Sequence, residues 1–285
     1  MNYQHCYHAG NFADVLKHVV FISLIDVLQQ KDSPYCVMDA HAGLGYYVLQ
    51  SDEAQKTQEY VSGVLKLLSI KNPEPPLARY ISLIQQDNPD WSTENPQGLS
   101  IYPGSPWLAY ILQRPNDRLI LNEKHPVVAR TLKSNFKGCL NTSVHTRDAY
   151  ECIPALLPPK ERRGIILFDP PFEESTEWAS LTEALESCTL RFPQGIYLVW
   201  FPIKDDTHHR IAKKINKMPI KSALLIEFSI APWREDASPL KACGLFILNP
   251  PWNWEKSIEP TLIQLSQSLK QAEGAEWRLS WVNSP

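Results

Sequence analysis

Four consecutive residues, Asp169-Pro170-Pro171-Phe172, place a carboxylate, two prolines and an aromatic ring in a row. That set suits a planar base with an exocyclic amine. The lone pair of such an amine is delocalised into the ring, so the nitrogen attacks poorly until acceptors hold its two hydrogens. The Asp169 carboxylate can accept one hydrogen and a backbone carbonyl, that of Pro170, the other. The prolines fix φ and bring no competing N–H, so both acceptors stay in place. Phe172 offers a face for the base, a contact of about 1–3 kcal/mol. The plain alternative is a strand-ending turn, in which Asp and Pro are common.

The element that must position this group is the run Gly164 to Phe168, a short apolar segment opened by Gly and closed by Pro. It reads as a buried strand of a parallel sheet, with Asp169 just past its carboxyl end, where ligands bind in open α/β sheets. Tyr35 to Asp39 reads as the first strand of that sheet, followed by the glycine turn Ala40-His41-Ala42-Gly43-Leu44-Gly45. Position 48 is Val, so the third glycine of a dinucleotide fingerprint is missing. NAD and FAD are therefore disfavoured, while S-adenosylmethionine, which has no pyrophosphate, is compatible. His41 could face a cofactor or cap the turn. Arg118 to Glu123 reads as the next strand and puts Glu123 where ribose hydroxyls are gripped. About eighty residues separate Gly43 from Glu123, against about twenty in the usual unit.

Something is inserted between them. Residues 51–100 contain two helix-like segments, Ala54 to Leu68 and Leu77 to Gln86, split by the prolines from Pro73 to Pro76. The main domain is then 1–50 with 101–285. Ser105 reads as the cap of a following helix with Pro106 at its first position. Val144 to Ala149 reads as a third strand with Asp148 as an acceptor for an adenine amine or as a helix cap. Three more strands follow: Gly195 to Trp200, Leu224 to Ile230 and Gly244 to Leu248. The alternation predicts a doubly wound α/β sheet of Rossmann-like class, with the last of these strands antiparallel.

With 285 residues, 44% hydrophobic and 21% charged, the chain can bury a large core. No apolar run is long enough to span a membrane, and the polar start lacks a secretory pattern, which together predict a cytosolic protein. Six scattered cysteines without a C-x-x-C pair predict reduced thiols. A net charge of −3 excludes a protein that coats nucleic acid by bulk charge, so any such contact needs a local patch. Two basic stretches qualify. One runs from Lys204 to Lys221 through His208, His209, Arg210, Lys213, Lys214 and Lys217 and could equally be a solvated helix face. The other, Lys160, Arg162 and Arg163, adjoins the Asp169 strand in sequence and is the candidate contact for a nucleic-acid substrate. A first helix from Phe12 to Leu28, capped by Asn11 with Asp14 three residues on, carries Lys17 and His18. Spacing alone makes these two a solvated pair.

His8-Ala9-Gly10-Asn11-Phe12-Ala13-Asp14-Val15-Leu16-Lys17-His18, Asp39-Ala40-His41-Ala42-Gly43, Tyr102-Pro103-Gly104-Ser105-Pro106, Asp169-Pro170-Pro171-Phe172 and Asn249-Pro250-Pro251-Trp252 occur in this order. With them the chain resembles the large-subunit ribosomal RNA methyltransferase J family over nearly its whole length. The resemblance implies a class I S-adenosylmethionine-dependent methyltransferase fold with a small helical insertion. It also implies methylation of an adenine N6 amine in 23S ribosomal RNA, and no required metal. A cofactor site of His18, His41, Gly43, Ser105, Glu123, Asp148 and Ala149 follows, with Asp169 as the catalytic acceptor and with Tyr3 and Lys17 near the substrate or the reacting groups, Tyr3 being assigned with Lys160, Arg162 and Arg163 to the substrate RNA. Phe172 stands where the family more often has Tyr, and the loop from Pro232 to Ala237 is not a close match.

The expected mechanism is in-line methyl transfer to an unstacked adenine of free or incompletely assembled RNA by a monomer. If Tyr3 and Lys17 serve only the reaction, their replacement by Ala leaves the melting temperature unchanged. The rivals are an adenine methyltransferase acting on DNA and a non-catalytic nucleic-acid-binding protein concerned with external DNA, a role that older naming of related sequences suggests. Asn249-Pro250-Pro251-Trp252 repeats the acceptor pattern, but the antiparallel strand before it would point it away from the cofactor edge.

Overall fold

The apolar runs pair into one eight-stranded sheet because each offers side chains to both faces. In the computed structural model, which describes residues 5–232 and 240–284, the strands are β1 (Cys36–Asp39), β2 (Tyr46–Val48), β3 (Ile101–Pro103), β4 (Arg118–Asn122), β5 (Thr142–His145), β6 (Gly164–Phe168), β7 (Ile196–Pro202), β8 (Ala223–Ser229), β9 (Ala242–Leu248) and β10 (Trp277–Asn283). The main sheet has the order β10-β8-β9-β7-β6-β1-β4-β5, and β2 pairs with β3 in a separate ribbon. Strands β5, β4, β1, β6 and β7 are mutually parallel, whereas β9 runs antiparallel to both β7 and β8. This is a doubly wound, Rossmann-like α/β sheet with its ligand edge at the carboxyl ends of the parallel strands.

Alternation along β6 separates two cores. Ile165 and Leu167 enter one, with the helix Phe12–Gln29 and the C-terminal helix Trp254–Leu269. Ile166 and Phe168 enter the other, with the helices Ala149–Leu156, Glu177–Arg191 and Thr207–Ile215.

Between β2 and β3 lie the short helices Asp52–Thr57, Glu59–Ser62 and Val64–Leu67 and the longer Pro75–Gln86. The first helical stretch expected from sequence is thus broken, by Gln58 in the left-handed region and by Gly63. A Cβ on Gly63 would sit 2.1 Å from the Gly10 carbonyl oxygen, which accepts from Val64 N–H at 2.8 Å. The glycine is the cost of docking these helices on the N-terminal turn. Leu67, Leu77, Tyr80 and Ile84 then join the same core as Leu16 and Val20.

Several strand limits move. Residues 146–148 lie beyond β5, because Asp148 caps the helix after it by accepting from Tyr150 N–H at 2.9 Å. Strand β10 was not expected at all, although Trp277, Leu279 and Trp281 alternate with polar residues as an edge strand should. It pairs antiparallel with β8, so the sheet ends one strand later than the sequence reading had it. None of the six cysteines is joined in a disulfide among the described residues. Among the described residues no helix is long and apolar enough to cross a membrane.

Candidate active site

At the carboxyl edge of β1, β4 and β6 a cavity of about 550 Å³ opens, within the range of small-ligand sites. Its wall contains every residue expected to hold a cofactor, namely His18, His41, Gly43, Ser105, Glu123, Asp148 and Ala149, together with Lys17, Asp169 and Pro170. Tertiary folding thus brings positions 17 to 170 to one sheet edge.

The N-terminal helix supplies the electrostatics. Asn11 Oδ1 accepts from Ala13 and Asp14 N–H at 3.0 Å each, as a cap should. Asp14 Oδ2 reaches back to Gly10 N–H at 2.9 Å. The helix is packed on nearly all sides, so Lys17 and His18 are buried, at 4% and 1% exposure, rather than solvated. Lys17 Nζ donates to Asp14 Oδ1 at 2.9 Å and to Asp169 Oδ2. Asp14 also accepts from His5 Nε2 at 2.9 Å. Burial opposes both charges of the Asp14–Lys17 pair, yet the neighbouring His5 and the Lys17 ammonium hold the Asp14 carboxyl well below its usual range. The two carboxylates likewise hold the Lys17 ammonium well above the usual lysine value despite burial. Lys17 is a fixed cation and no proton acceptor.

His18 Nδ1 lies 2.8 Å from the Tyr102 hydroxyl, which in turn receives the Tyr80 hydroxyl at 3.2 Å. Burial, with the Lys17 charge, pulls its pKa down to about 3, so the ring is neutral. With Tyr102 donating to Nδ1, His18 Nε2 carries the hydrogen. That atom is buried and has no hydrogen-bond partner among the described residues, and His18 lines the cavity wall. An orphaned donor at a cavity is what a bound acceptor would satisfy.

His41 Nδ1 accepts from Asp169 N–H at 3.3 Å, and burial lowers its pKa to about 4. It therefore stays neutral and ties the glycine turn to the Asp169 segment. Gly43 has φ +60°, and a Cβ there would strike the Tyr47 hydroxyl at 2.4 Å. Its N–H donates to Glu123 Oε2 at 3.0 Å, while Glu123 Oε1 takes His125 N–H at 2.7 Å. Each oxygen of Glu123 keeps a lone pair for a ribose hydroxyl. Asp148 is paired with Lys124 Nζ at 2.8 Å. Ala149 begins the next helix, where an N–H has no intrahelical partner.

Ser105 is not the helix cap. Gly104 takes that place, and the Ser105 hydroxyl instead donates to buried Asp39 Oδ2 at 2.6 Å. Burial, with the nearby Asp169 charge, raises Asp39 to about 7. Sequence reasoning passed over Asp39, although an acidic residue ending β1 just before the glycine turn was the available signal. Tyr150, whose hydroxyl donates to Glu177, and Tyr47 also line the cavity unannounced.

Phe172 does not line the cavity. At φ +50° its ring turns edge-on to Trp178, with centroids 4.8 Å apart, and toward Trp200 at 6.2 Å. Trp200, by contrast, does reach the cavity, as do Tyr47 and Tyr150. Lys160, Arg162 and Arg163 are displaced further. They precede β6 and so lie at the amino edge of the sheet, about 16 Å from Asp169 across a five-residue strand. Arg163 is spent there on the carbonyls of Ser33, at 2.8 Å, and Leu28. Nearness in sequence misled because a strand carries the chain from one edge to the other.

Asn249, at the end of antiparallel β9, is on that same amino edge. Its Oδ1 accepts from Lys221 N–H at 2.8 Å and its Nδ2 donates to the Pro193 and Gly195 carbonyls at 2.9 and 2.7 Å. It braces a turn and does not line the cavity. Tyr3 lies outside the described residues, as do residues 233–237 of the loop after Pro232.

A family model described as ribosomal RNA large subunit methyltransferase D, RlmJ, matches residues 32–283. The proteins named ribosomal RNA large subunit methyltransferase J of Haemophilus influenzae and of Escherichia coli K12 are each 34% identical, over 284 and 285 residues, covering 99% of both chains. A crystal structure of a Legionella pneumophila protein superposes with a TM-score of 0.85 at 30% identity, covering 96% of this chain and 98% of that one. The N-terminal motif precedes the family-model match but falls within the full-length ones. The chain belongs to the ribosomal RNA large subunit methyltransferase J family.

Proposed function

We propose that this chain methylates the N6 amine of an adenine in 23S ribosomal RNA, with S-adenosylmethionine as donor. Family membership supports the reaction class, the cofactor and the RNA. The choice of the adenine amine rests on one observation: Asp169 and Pro170 stand together on the cavity wall, with the Asp169 carboxylate pinned by the buried Lys17 ammonium.

The residues present fit the cofactor. Glu123 would take the ribose, Asp148 and the first N–H of its helix the adenine edge, and the orphaned His18 Nε2 an acceptor on the amino-acid portion. When bound, the cofactor supplies an electrophilic methyl group on a sulfonium. Everything else is positioning by the chain. Lys17 orients the Asp169 carboxylate through one oxygen. A carboxylate has about four acceptor positions, so capacity remains for an amine hydrogen. The Pro170 carbonyl takes the second hydrogen, which frees the nitrogen lone pair from the ring and aims it into the cavity. As positive charge develops on that nitrogen, both acceptors strengthen their bonds to it, and the methylated nitrogen, now strongly acidic, sheds its surplus proton to solvent.

The target adenine must be unstacked to enter, which favours free or incompletely assembled RNA over duplex. Within the chain, residues 1–50 and 101–285 serve as the methyltransferase domain and 51–100 as its helical insertion. The test is incubation of the purified chain with deproteinised 23S RNA and labelled cofactor, followed by nucleoside analysis. N6-methyladenosine in RNA is the expected product. Label in another nucleoside, or in duplex DNA in preference to RNA, refutes the reading.

A further inference from the structure

His208 and His209 open the helix Thr207–Ile215, and Glu227 lies near the end of β8. All three stand at the carboxyl edge of the sheet, away from the cavity, and none lines it. One ligand-capable atom from each lies within 4.8 Å of the other two. His208 Nε2 is 3.0 Å and His209 Nε2 3.7 Å from Glu227 Oε1. A four-coordinate ion with bonds of about 2.0–2.1 Å sets its ligand atoms about 3.3 Å apart. The two spacings to Glu227 straddle that value and the imidazole ligand atoms lie within 4.8 Å of each other, so side-chain rotations can close the set.

The second ring nitrogen of His208 gives an independent indication. Nδ1 lies 3.0 Å from the Asp205 carbonyl oxygen, so acceptors face both nitrogens of a ring that is only 4% exposed. A neutral imidazole has one N–H and one lone pair and cannot serve both. If Nδ1–H donates to the carbonyl, the Nε2 lone pair meets a carboxylate oxygen, and a cation shared between them removes the conflict. Donation of the remote N–H to a backbone carbonyl is the usual support of a metal-bound histidine. Phe201 stacks on the His208 ring at 5.5 Å and fixes its plane. His209, at 48% exposure, leaves one side open to solvent for a fourth ligand.

We propose that His208, His209 and Glu227 form a binding site for a divalent transition-metal ion of the zinc class, which clamps the start of the Thr207–Ile215 helix to β8. Two imidazoles and one carboxylate suit such borderline ions better than calcium or magnesium. The site stands apart from methyl transfer and does not depend on that reading.

The tag-free full-length chain is titrated with zinc(II) by calorimetry and with cobalt(II) by visible absorption. One equivalent should bind, without a sulfur-to-cobalt charge-transfer band, and zinc should raise the melting temperature. His209→Ala, at a half-exposed position that the fold does not need, should weaken zinc at least about tenfold, since even outer-sphere partners are worth about 10–100-fold. It should also abolish the thermal shift, and Glu227→Gln should do the same. If His208 is instead an imidazolium paired with Glu227, zinc will fail to bind, or will bind equally to wild type and both variants. A thiolate band in the cobalt spectrum that survives His209→Ala would assign the metal to cysteine. Either result overturns the proposal.

Discussion

Replacing Lys17 by Met tests whether the buried cation serves the fold as well as the reaction. In the wild type its ammonium lies between Asp14, whose side chain is 2% exposed, and Asp169, at 17%. Asp169 can recover hydration when the cation is lost, but Asp14 cannot. Among the described residues, Asp14 would then keep His5, whose side chain is 22% exposed, and the Gly10 N–H. Removing one partner of a buried pair costs about 3–5 kcal/mol. For a chain of this size that is a fall of about 6–10 °C in melting temperature, at about 2 °C per kcal/mol. The expectation that a Lys17 variant melts like wild type therefore fails on burial. Asp14→Asn in the Lys17→Met background should restore part of the loss, because the uncompensated charge is gone.

The pH dependence follows from the two shifts. Lys17, raised when folded, stabilises fully below its unfolded value of about 10.5 and loses the effect only as pH rises through the folded value. Asp14, depressed when folded, stabilises above about pH 4 and loses the effect as pH falls through the folded value. The gap between wild type and Lys17→Met should thus be flat from about pH 5 to pH 10 by scanning calorimetry. A Lys17→Met protein that melts within about 1 °C of wild type, or gains nothing from Asp14→Asn, would refute the buried-triad argument.

Asp169→Ala should abolish methyl transfer to RNA while remaining folded, since Lys17 keeps Asp14; an active, folded variant would remove Asp169 from the site. Asn249→Ala should keep its activity per folded molecule but lose about 3 kcal/mol by urea unfolding, from three hydrogen bonds and a φ of +54° that alanine resists. Glu123→Ala should weaken S-adenosylhomocysteine at least about tenfold by calorimetry, because each charge-assisted ribose bond is worth about 1.5–3 kcal/mol. Unchanged affinity would place the ribose elsewhere. Asp39, raised to about 7 when folded, binds its proton more tightly folded than unfolded, so it makes stability fall as pH rises from about 4 to about 7. Asp39→Asn should flatten that part of the stability curve, and an identical curve would mean the carboxyl is ionised throughout.

The residues alone determined the class of fold and much of the site. Apolar runs ending in Asp39, Glu123 and Asp169 announce parallel strands with acids at their carboxyl ends, and the missing third glycine speaks against a dinucleotide. Those signals are local, carried by side-chain period and by turn chemistry within a few residues. Only the tertiary structure could decide matters that depend on which face or edge a residue reaches. Lys17 looked solvated because one helix shows only its own spacing, whereas its burial is imposed by the sheet, the insertion and the C-terminal helix around it. Ser105 looked like a cap until Asp39, 66 residues away in sequence, was seen to claim its hydroxyl. Lys160, Arg162 and Arg163 looked close to Asp169 because sequence distance ignores that one strand spans the sheet from edge to edge. Asp169 and Asn249 carry nearly the same motif, and strand direction, a property of pairing across the whole sheet, turns one toward the cavity and the other away from it.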